Sequence, residues 1–145
     1  MKITNITTHL MGVPPPGGAA PSRNWVFVKV ETDAGLYGLG EAGLKRRGHA
    51  IAEIVKGFES DLIGADPSRI EHLWQTMFRG GFFPGGVVQS SAVSAVDIAL
   101  WDLKGKALGV PVYELLGGLT RERVACYPHI GERDVIERLV ANCRQ

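Results

Sequence analysis

The sequence predicts an α+β domain, in which a three-stranded antiparallel meander is covered by helices, followed by the beginning of a second domain. Three observations predict this. β-Branched residues and two-residue alternation fill the first 43 positions, and apolar residues recur at helical spacing between 51 and 108. One further strand and helix then follow without a partner strand. We therefore place a first domain at 1–118 and the start of another at 119–145.

The first elements are three strands joined in sequence order. Residues 3–10 are rich in Ile and Thr, which favour a pleated, half-buried surface. Residues 25–31 alternate, with valines on one face and charged side chains on the other. A turn at 33–35, where Gly35 can adopt positive φ, leads into a third strand over 36–42. The resulting sheet has one face that needs cover.

Helices are predicted to supply that cover. Apolar residues at helical spacing over 51–62 form one stripe. Asp66 and Pro67 mark the start of a second helix, because Asp caps free N–H groups and Pro suits the first turn. Its apolar face covers 70–78, and a Gly-rich break at 79–86 ends it.

The longest predicted helix spans 87–108 and is apolar nearly all round between 92 and 101. We expect such a helix to be buried rather than to lie on a surface, and its small residues to permit close approach of neighbouring helices. Gly109 ends it. Pro111 then opens a short helix, which the glycine pair at 117–118 closes.

The character of the chain changes after position 118. Residues 123–130 are typical of a strand and 134–143 of an amphipathic helix, which together form a βα unit. A parallel strand needs neighbours on both edges and helices on its faces. These 145 residues supply no such neighbour, so we expect the chain to be the front portion of a longer architecture.

Composition excludes several classes of function. Sixteen Lys and Arg against 15 Asp and Glu give a net charge of +1, which offers no electrostatic case for nucleic acid or an anionic membrane. No apolar run has the length of a membrane span, and residues 1–6 lack the apolar core of a signal peptide. Cys126 and Cys143 form no CxxC pair, which predicts a reducing, cytoplasmic environment. The lone GxG at 38–40 does not indicate a nucleotide site.

The stretch 92–117 carries a dense set of specified positions, which are Ala92, Ala95, Val96, Asp97, Ala99, Leu100, Asp102, Leu103, Gly105, Lys106, Pro111, Val112, Leu115, Leu116 and Gly117. This set resembles the N-terminal signature of the mandelate racemase and muconate-lactonising enzyme group of the enolase superfamily. Residues 31–41 are similar to the β-meander of that family, and 62–67 to the junction at its first helix. Within the group, residues 73–75, 79, 81–82, 85–86 and 100–102 resemble sugar-acid dehydratases of the galactonate dehydratase type.

This resemblance implies both a fold and a chemistry. Residues 1–118 would form the α+β capping domain of the family, and 119–145 the first strand and helix of a (β/α)-barrel that continues further, since a whole barrel takes about 250 residues. The family abstracts a proton next to a carboxylate with a Lys or His base, and Mg²⁺ stabilises the charge that develops. In a dehydratase, which is a lyase, loss of the β-hydroxyl follows. The metal carboxylates and bases lie on later barrel strands, so the resemblance implies no catalytic and no metal-binding residue in this chain.

Two alternatives to a Mg²⁺-dependent sugar-acid dehydratase stay open. One is a racemase, epimerase or cycloisomerase of the same superfamily. The other is a non-catalytic, stand-alone or truncated α+β module that acts by protein contact. The implied partners are a small carboxylate substrate (an acid sugar), the rest of the barrel and further copies in a homo-oligomer, without nucleic acid or membrane. We expect the 145-residue chain alone to be inactive.

The role implied for this part of the enzyme is a lid that closes over the barrel mouth and excludes water. The loop 11–24 departs from the family pattern by a proline-rich insertion. Its Pro15, Gly17 and Arg23 are lid candidates, because a long loop without secondary structure is usually functional or disordered. The alternative is a tolerated insertion in a hairpin.

A second group of pocket candidates lies between the third strand and the first helix. Arg46, Arg47 and His49 form a short basic cluster there. The planar fork of an Arg side chain binds a carboxylate through two hydrogen bonds, which suits an acid-sugar substrate. The alternative is a solvated surface cluster.

Three more candidates complete the set. His129 is expected at the C-terminal end of the first barrel strand, the end that faces the active site in barrels of this class. Phe82 and Phe83 lie in the Gly-rich break, where they would line the pocket mouth or fill a gap between the helices and the barrel; we favour the packing role.

Asp97 and Asp102 suggest acid–base chemistry at first sight. Five residues apart on a helix, they point in rather different directions. A buried Asp is normally paired or hydrogen-bonded, and Lys104, Lys106 or a strand backbone are available as partners. We therefore expect both carboxylates to be structural.

Overall fold

The computed structural model describes residues 1–12, 24–44, 46–83 and 85–126. The elements in chain order are strands β1 (Ile3–Gly12), β2 (Asn24–Thr32) and β3 (Tyr37–Ala42), and helices α1 (Gly48–Gly57), α2 (Glu59–Leu62), α3 (Ile70–Arg79), α4 (Val87–Leu108) and α5 (Val112–Leu115).

The three strands form an antiparallel sheet in the order β1-β2-β3, which confirms the predicted meander. Val28 in the middle strand lies opposite Thr8 of β1 and Gly40 of β3. The turn between β2 and β3 is closed by a hydrogen bond of 3.1 Å from the Gly35 N–H to the Thr32 carbonyl. Gly35 has φ +76°, the left-handed conformation that favours glycine.

Helix α4 lies directly on β3. A Cβ atom on Gly40 would overlap the carbonyl oxygen of Ala95, and one on Gly38 would overlap that of Ala99. The small residues of the helix were expected to admit neighbouring helices, and α1 and α3 do contact α4. Together with the strand glycines, the small residues also bring a helix and a strand backbone together. Glycine is required here because the contact leaves no room for any side chain.

The remaining helices cover the rest of this face of the sheet. Helix α1 buries Ile51 and Val55, and α3 buries Ile70, Leu73 and Met77. The apolar stripe predicted over 51–62 is buried as expected, but the helix is interrupted at Phe58 and resumes as α2. The core shared by the sheet and the helices contains Ile3, Ile6, Val26, Val28, Val30, Ala42, Ile51, Val55, Phe58, Leu62, Ile70, Leu73, Met77, Ala92, Val93, Ala95, Val96, Ala99 and Leu100.

The predicted start of the second helix, with Asp66 as cap and Pro67 in the first turn, is three residues too early. Asp66 Oδ1 accepts a hydrogen bond of 2.9 Å from the Ser68 N–H, which makes a local turn. Helix α3 begins only at Ile70, and its first backbone bond runs from the Leu73 N–H to the Arg69 carbonyl. Asp66 therefore satisfies a donor of the turn before the helix, because an Asp side chain bonds its own backbone two residues on.

Helix α4 ends where the sequence predicts. Gly109 adopts φ +70°, and the Val110 N–H bonds the Gly105 carbonyl at 3.0 Å. These are features of a glycine helix stop. Pro111 precedes α5, which Gly117 and Gly118 follow with φ +111° and +96°.

The predicted strand at 123–130 is not formed in its described part. Residues 123–126 have no regular structure, and Val124 is 71% exposed. No other described strand lies beside them, and a strand without a partner has no hydrogen-bond ladder. The rest of that strand and the helix at 134–143 lie outside the described residues.

Candidate functional site

The connections predicted to form a lid meet at one end of the sheet. β1 ends at Gly12, which pairs with Asn24 at the start of β2, and β3 ends at Ala42. Because neighbouring strands are antiparallel, these three positions lie at the same end, which we call the loop end. Segment 13–23, which joins Gly12 to Asn24, is anchored there on both sides, and so is the connection 43–47, which leads to α1.

The connection between α3 and α4 reaches the same end. Along α4, Ala95 lies beside Gly40 and Ala99 beside Gly38, so the helix runs antiparallel to β3. Its N-terminus therefore points to the loop end. The Gln89 side chain donates a hydrogen bond of 3.0 Å to the Met77 carbonyl, which holds the end of α3 beside the start of α4. Three separate connections thus share one end of the domain.

Arg46, Arg47 and His49 lie in the second of these connections and at the start of α1. All three are exposed, and none forms a salt bridge with another described residue. Arg46 has φ +61°, the only positive φ of a non-glycine residue in the described ranges. The Arg47 carbonyl accepts the Ile51 N–H at 3.0 Å and starts the helix. Both guanidinium groups are therefore open to a ligand.

Phe82 and Phe83 lie in the third connection. Their exposed fractions are 94% and 79%, and their rings contact each other edge to face at 5.1 Å between centroids. They fill no gap between the described helices. A packing role and a role at a pocket mouth both require a surface that the described part of the chain does not supply.

Four predicted site residues lie outside the described residues. These are Pro15, Gly17 and Arg23 of segment 13–23, and His129. The backbone is described for Gly12 and Asn24, the two residues that flank segment 13–23.

Asp102 has the structural role expected of it. Its Oδ2 accepts a hydrogen bond of 2.8 Å from the Leu39 N–H and pairs with Lys106 Nζ at 2.6 Å. Lys106 Nζ also donates to the Tyr37 carbonyl at 3.0 Å. Both kinds of predicted partner, a lysine and a strand backbone, are therefore present. The pair satisfies outward-facing groups of the β3 edge and protects it.

Asp97 and Asp102 line one groove between β3, α4 and α5, although their spacing predicts rather different directions. The Asp97 side chain is half-buried on α4, and burial, followed by the negative charge of Glu71, raises the pKa of this carboxyl. Both effects disfavour the charged form. Asp97 lies in the middle of α4, in the wall of that groove and not in one of the connections at the loop end, so its position gives no support for acid–base chemistry among the lid candidates.

An apolar groove that the sequence analysis missed runs between β3, α4 and α5. It has a volume of about 530 Å³, and its apolar walls include Leu39, Ile98, Trp101, Val112 and Leu116. Ile98 is 46% and Leu116 66% exposed. The prediction that α4 is buried all round is therefore wrong for this side, since the sheet and helices cover only the opposite one. The all-round apolar pattern of α4 could have indicated the groove, because it makes even the face that no described residue covers apolar.

The described ranges contain neither a metal-binding cluster nor a membrane-spanning helix. No group of three or more His, Cys, Asp or Glu side chains could hold a metal ion there. No helix there combines the length and apolar character needed to cross a bilayer.

Comparison with known proteins assigns the family. The sequence profile described as "Mandelate racemase / muconate lactonizing enzyme, N-terminal domain" matches residues 8–117. The chain belongs to this family. The matched region begins within β1 and runs through β2, β3 and the five described helices. It includes every candidate lid residue except His129.

Two curated relatives of this family member are named D-galactonate dehydratase. D-galactonate dehydratase of Xanthomonas campestris pv. campestris (strain B100) is 49% identical over 131 residues, which are 90% of this chain and 32% of the relative. D-galactonate dehydratase of Verminephrobacter eiseniae (strain EF01-2) is 50% identical over the same shares. The chain thus spans about a third of the length of the curated relatives it matches.

Solved structures of the family superpose on the whole domain. A putative dehydratase from Mesorhizobium loti gives a TM-score of 0.85 at 39% identity, covering 100% of this chain and 38% of that one. An enolase from Pantoea ananatis, solved with bound D-gluconate and Mg, gives 0.74 at 42% identity, covering 86% and 29%. These likenesses support the α+β capping-domain fold.

Proposed function

We propose that this chain is the capping domain of a Mg²⁺-dependent sugar-acid dehydratase, and that its loop end forms the lid over the substrate. The observation that carries the proposal is that Gly12 and Asn24, which flank segment 13–23, lie at the same end of a packed domain as the end of β3 and the start of α4. A lid needs loops on a rigid support, and here α4 lies in backbone contact with the sheet that anchors two of them.

The candidate residues suit an anionic substrate. Arg46 and Arg47 present two exposed guanidinium groups at the loop end. A guanidinium binds a carboxylate through two parallel hydrogen bonds, so these groups can bind and orient the acid end of a sugar acid. Phe82 and Phe83 can add an apolar wall that excludes water.

The proposed reaction uses a base and metal ligands that we assign to protein outside the described residues. Abstraction of the proton next to the carboxylate, followed by loss of the β-hydroxyl as water, leaves an enol that becomes a 2-oxo acid. When bound, Mg²⁺ stabilises the charge that develops on the carboxylate. The described residues contain no group that fits the ion, so we assign its ligands and the base to protein outside them. The name of the relatives and the Mg and D-gluconate bound to the Pantoea protein support this choice.

The surface favours a capping domain over a free-standing module. The groove beside α4 exposes Ile98, Trp101 and Leu116, together with Leu39 of the β3 edge. A contiguous apolar surface of this kind is typical of a protein interface. We infer that residues 119–145 begin a barrel domain that covers it. We also place the protein in the cytoplasm, because the sequence pattern of its cysteines favours a reducing compartment.

A chimera tests the lid. Residues 1–118 would replace the matching N-terminal part of the D-galactonate dehydratase of Xanthomonas campestris. We expect a folded, Mg²⁺-dependent enzyme in which Arg46→Ala and Arg47→Ala together raise KM for an acid sugar about tenfold, the effect of losing about 1.4 kcal/mol of binding. The matched control is Arg69→Ala, an exposed arginine at the start of α3, far from the loop end. A folded chimera whose KM is unchanged by the double substitution would overturn the lid assignment.

The reaction type needs a separate experiment. The longest polypeptide encoded with this domain would be incubated with a panel of acid sugars and Mg²⁺ in D₂O. A 2-oxo-3-deoxy acid as product supports the dehydratase. An epimer that carries deuterium next to the carboxylate, without loss of water, would instead identify a racemase or epimerase.

A further inference from the structure

The two edges of the sheet differ in how their outward-facing backbone groups are hydrogen-bonded. On β3, the outward-facing Leu39 N–H and Tyr37 carbonyl are bonded by Asp102 and Lys106. On β1, Ile3 is bonded on its outer side by the backbone of residues 64–65. Beyond Ile3, no described residue bonds the outer edge of β1.

The register shows which groups of β1 are open. Tyr37 and Leu39 bond away from β2, so Gly38 between them bonds toward it, and its partner is Val30. In an antiparallel sheet a residue that bonds one neighbouring strand turns away from the other. Val30 therefore bonds β3 and not β1, so the N–H and carbonyl of its β1 partner, Ile6, face outward.

Alternation extends this pattern along the strand. Ile6, Thr8 and Leu10 direct their N–H and carbonyl groups to the open edge, while Thr7 and His9 bond β2. The stretch 6–10 contains no charged residue and no proline, and the register irregularity lies earlier, between Ile3 and Asn5. Lysines, prolines and bulges are the features that protect an edge strand, and this stretch has none of them.

We propose that two copies of the chain pair through β1, antiparallel, with a two-fold axis at Thr8. In this register Ile6 lies opposite the partner's Leu10, and each of the three facing pairs exchanges two backbone hydrogen bonds. A second copy is the occupant that fits, because the open groups are centred on Thr8 and match themselves under a two-fold rotation.

The surface beside the edge fits the same partner. A groove of about 260 Å³ runs between β1 and α1, lined in part by Ile6 and Val55. Leu10 is 38% exposed, and in the proposed register the partner's Leu10 lies beside Ile6 at this groove. Glu53, Lys56 and Glu59 line the same groove, so the two-fold brings together rims that carry both signs of charge. A partner charged with one sign alone would lack this match.

Sedimentation equilibrium of the chain over a range of concentrations tests the pairing. We expect a monomer–dimer equilibrium, and Thr8→Pro should raise the dimer dissociation constant about 100-fold, because it removes the central outward N–H. Proline is tolerated on an edge strand whose N–H faces solvent, so this variant should keep its far-ultraviolet circular dichroism. Thr8→Ala is the control, since it keeps the N–H and should dimerise like the parent chain.

Hydrogen exchange locates the contact independently of any variant. In the dimer the amides of Ile6, Thr8 and Leu10 should be protected, and they should lose protection on dilution to monomer, whereas those of Thr7 and His9 stay protected throughout. A chain that is monomeric at all concentrations, or a dimer in which the amides of Ile6, Thr8 and Leu10 exchange freely, would overturn the proposal. Neither result would affect the lid assignment, which depends on KM.

Discussion

Gly40 of β3 and Ala95 of α4 approach so closely that a Cβ atom on the glycine would overlap the Ala95 carbonyl oxygen. The contact fixes the direction of α4 and hence brings the connection 80–86 to the end of the sheet where 13–23 and 43–47 attach. The arrangement of the candidate lid therefore depends on a glycine that takes no part in binding.

Gly40→Ala should destabilise the domain by about 3 kcal/mol or more, because the added methyl meets backbone rather than a side chain that can move. Urea unfolding measures the change. Gly57→Ala, in open space at the end of α1, is the control and should cost nothing or stabilise slightly. Equal stability of the two variants would contradict the described helix–strand contact.

Asp102 should contribute mainly by accepting the Leu39 N–H. Asp102→Ala leaves this donor without its partner and should cost about 1–3 kcal/mol. Asp102→Asn keeps an oxygen acceptor and loses the exposed charge pair with Lys106, so it should cost less, about 1 kcal/mol or below. The order is checked by urea unfolding at neutral pH. A larger loss in Asp102→Asn than in Asp102→Ala would show that the ion pair dominates.

Asp97 should make the domain less stable as pH rises. Burial and the nearby Glu71 raise the pKa of this carboxyl above its ordinary value of 3.8. The folded state therefore holds the proton more tightly than the unfolded one. Its stabilising contribution is complete below the ordinary pKa and is lost as pH rises through the raised value.

Asp97→Asn removes this dependence and should be more stable than the parent chain at pH 7. The gain should shrink towards pH 3, as followed by urea unfolding at both values. Glu71→Gln should give a smaller gain of the same sign, because it removes the second cause only. A gain that is independent of pH would contradict the assignment to Asp97.

Arg46 adopts φ +61°, which costs about 1 kcal/mol for a residue with a Cβ atom. Arg46→Gly should therefore stabilise the domain by up to about 1 kcal/mol, whereas the β-branched Arg46→Val should destabilise it. Thermal unfolding distinguishes them.

The 145-residue chain alone should show no dehydratase turnover and no specific Mg²⁺ affinity, because it covers 32% of the length of the D-galactonate dehydratase it matches and we assign the metal ligands and the base to the remainder. Calorimetric titration with Mg²⁺ and an assay for 2-oxo acid formation test this. The control is the chimera, which should turn over under the same conditions. Turnover by the chain itself would move the chemistry into residues 1–145.

Much of the fold could be predicted because it rests on local patterns. Alternating valines specify β2, and helical spacing of apolar residues specifies α3, so their existence follows from periods of two and about 3.6 residues. The exact helix boundaries were harder to predict. Asp66 bonds the nearby Ser68 N–H, so α3 begins later, and the helix predicted over 51–62 is interrupted at Phe58.

The candidate site was only partly predictable. The basic cluster and the phenylalanine pair are visible as residue types, but their common end depends on the antiparallel course of α4 on β3. The groove beside Trp101 was missed because an apolar pattern does not tell which faces of a helix the chain itself covers.

The sequence by itself determined the strands, the helices, the glycine that ends α4 and the family signature at 92–117, because each is carried by residues close together in the chain. Only the tertiary structure decided that α4 lies in backbone contact with strand β3, that Asp102 and Lys106 protect the β3 edge, and that the β1 edge stays open beyond Ile3 in the described part of the chain. These contacts join residues up to 69 positions apart, and packing in three dimensions decides which of many possible pairs meet.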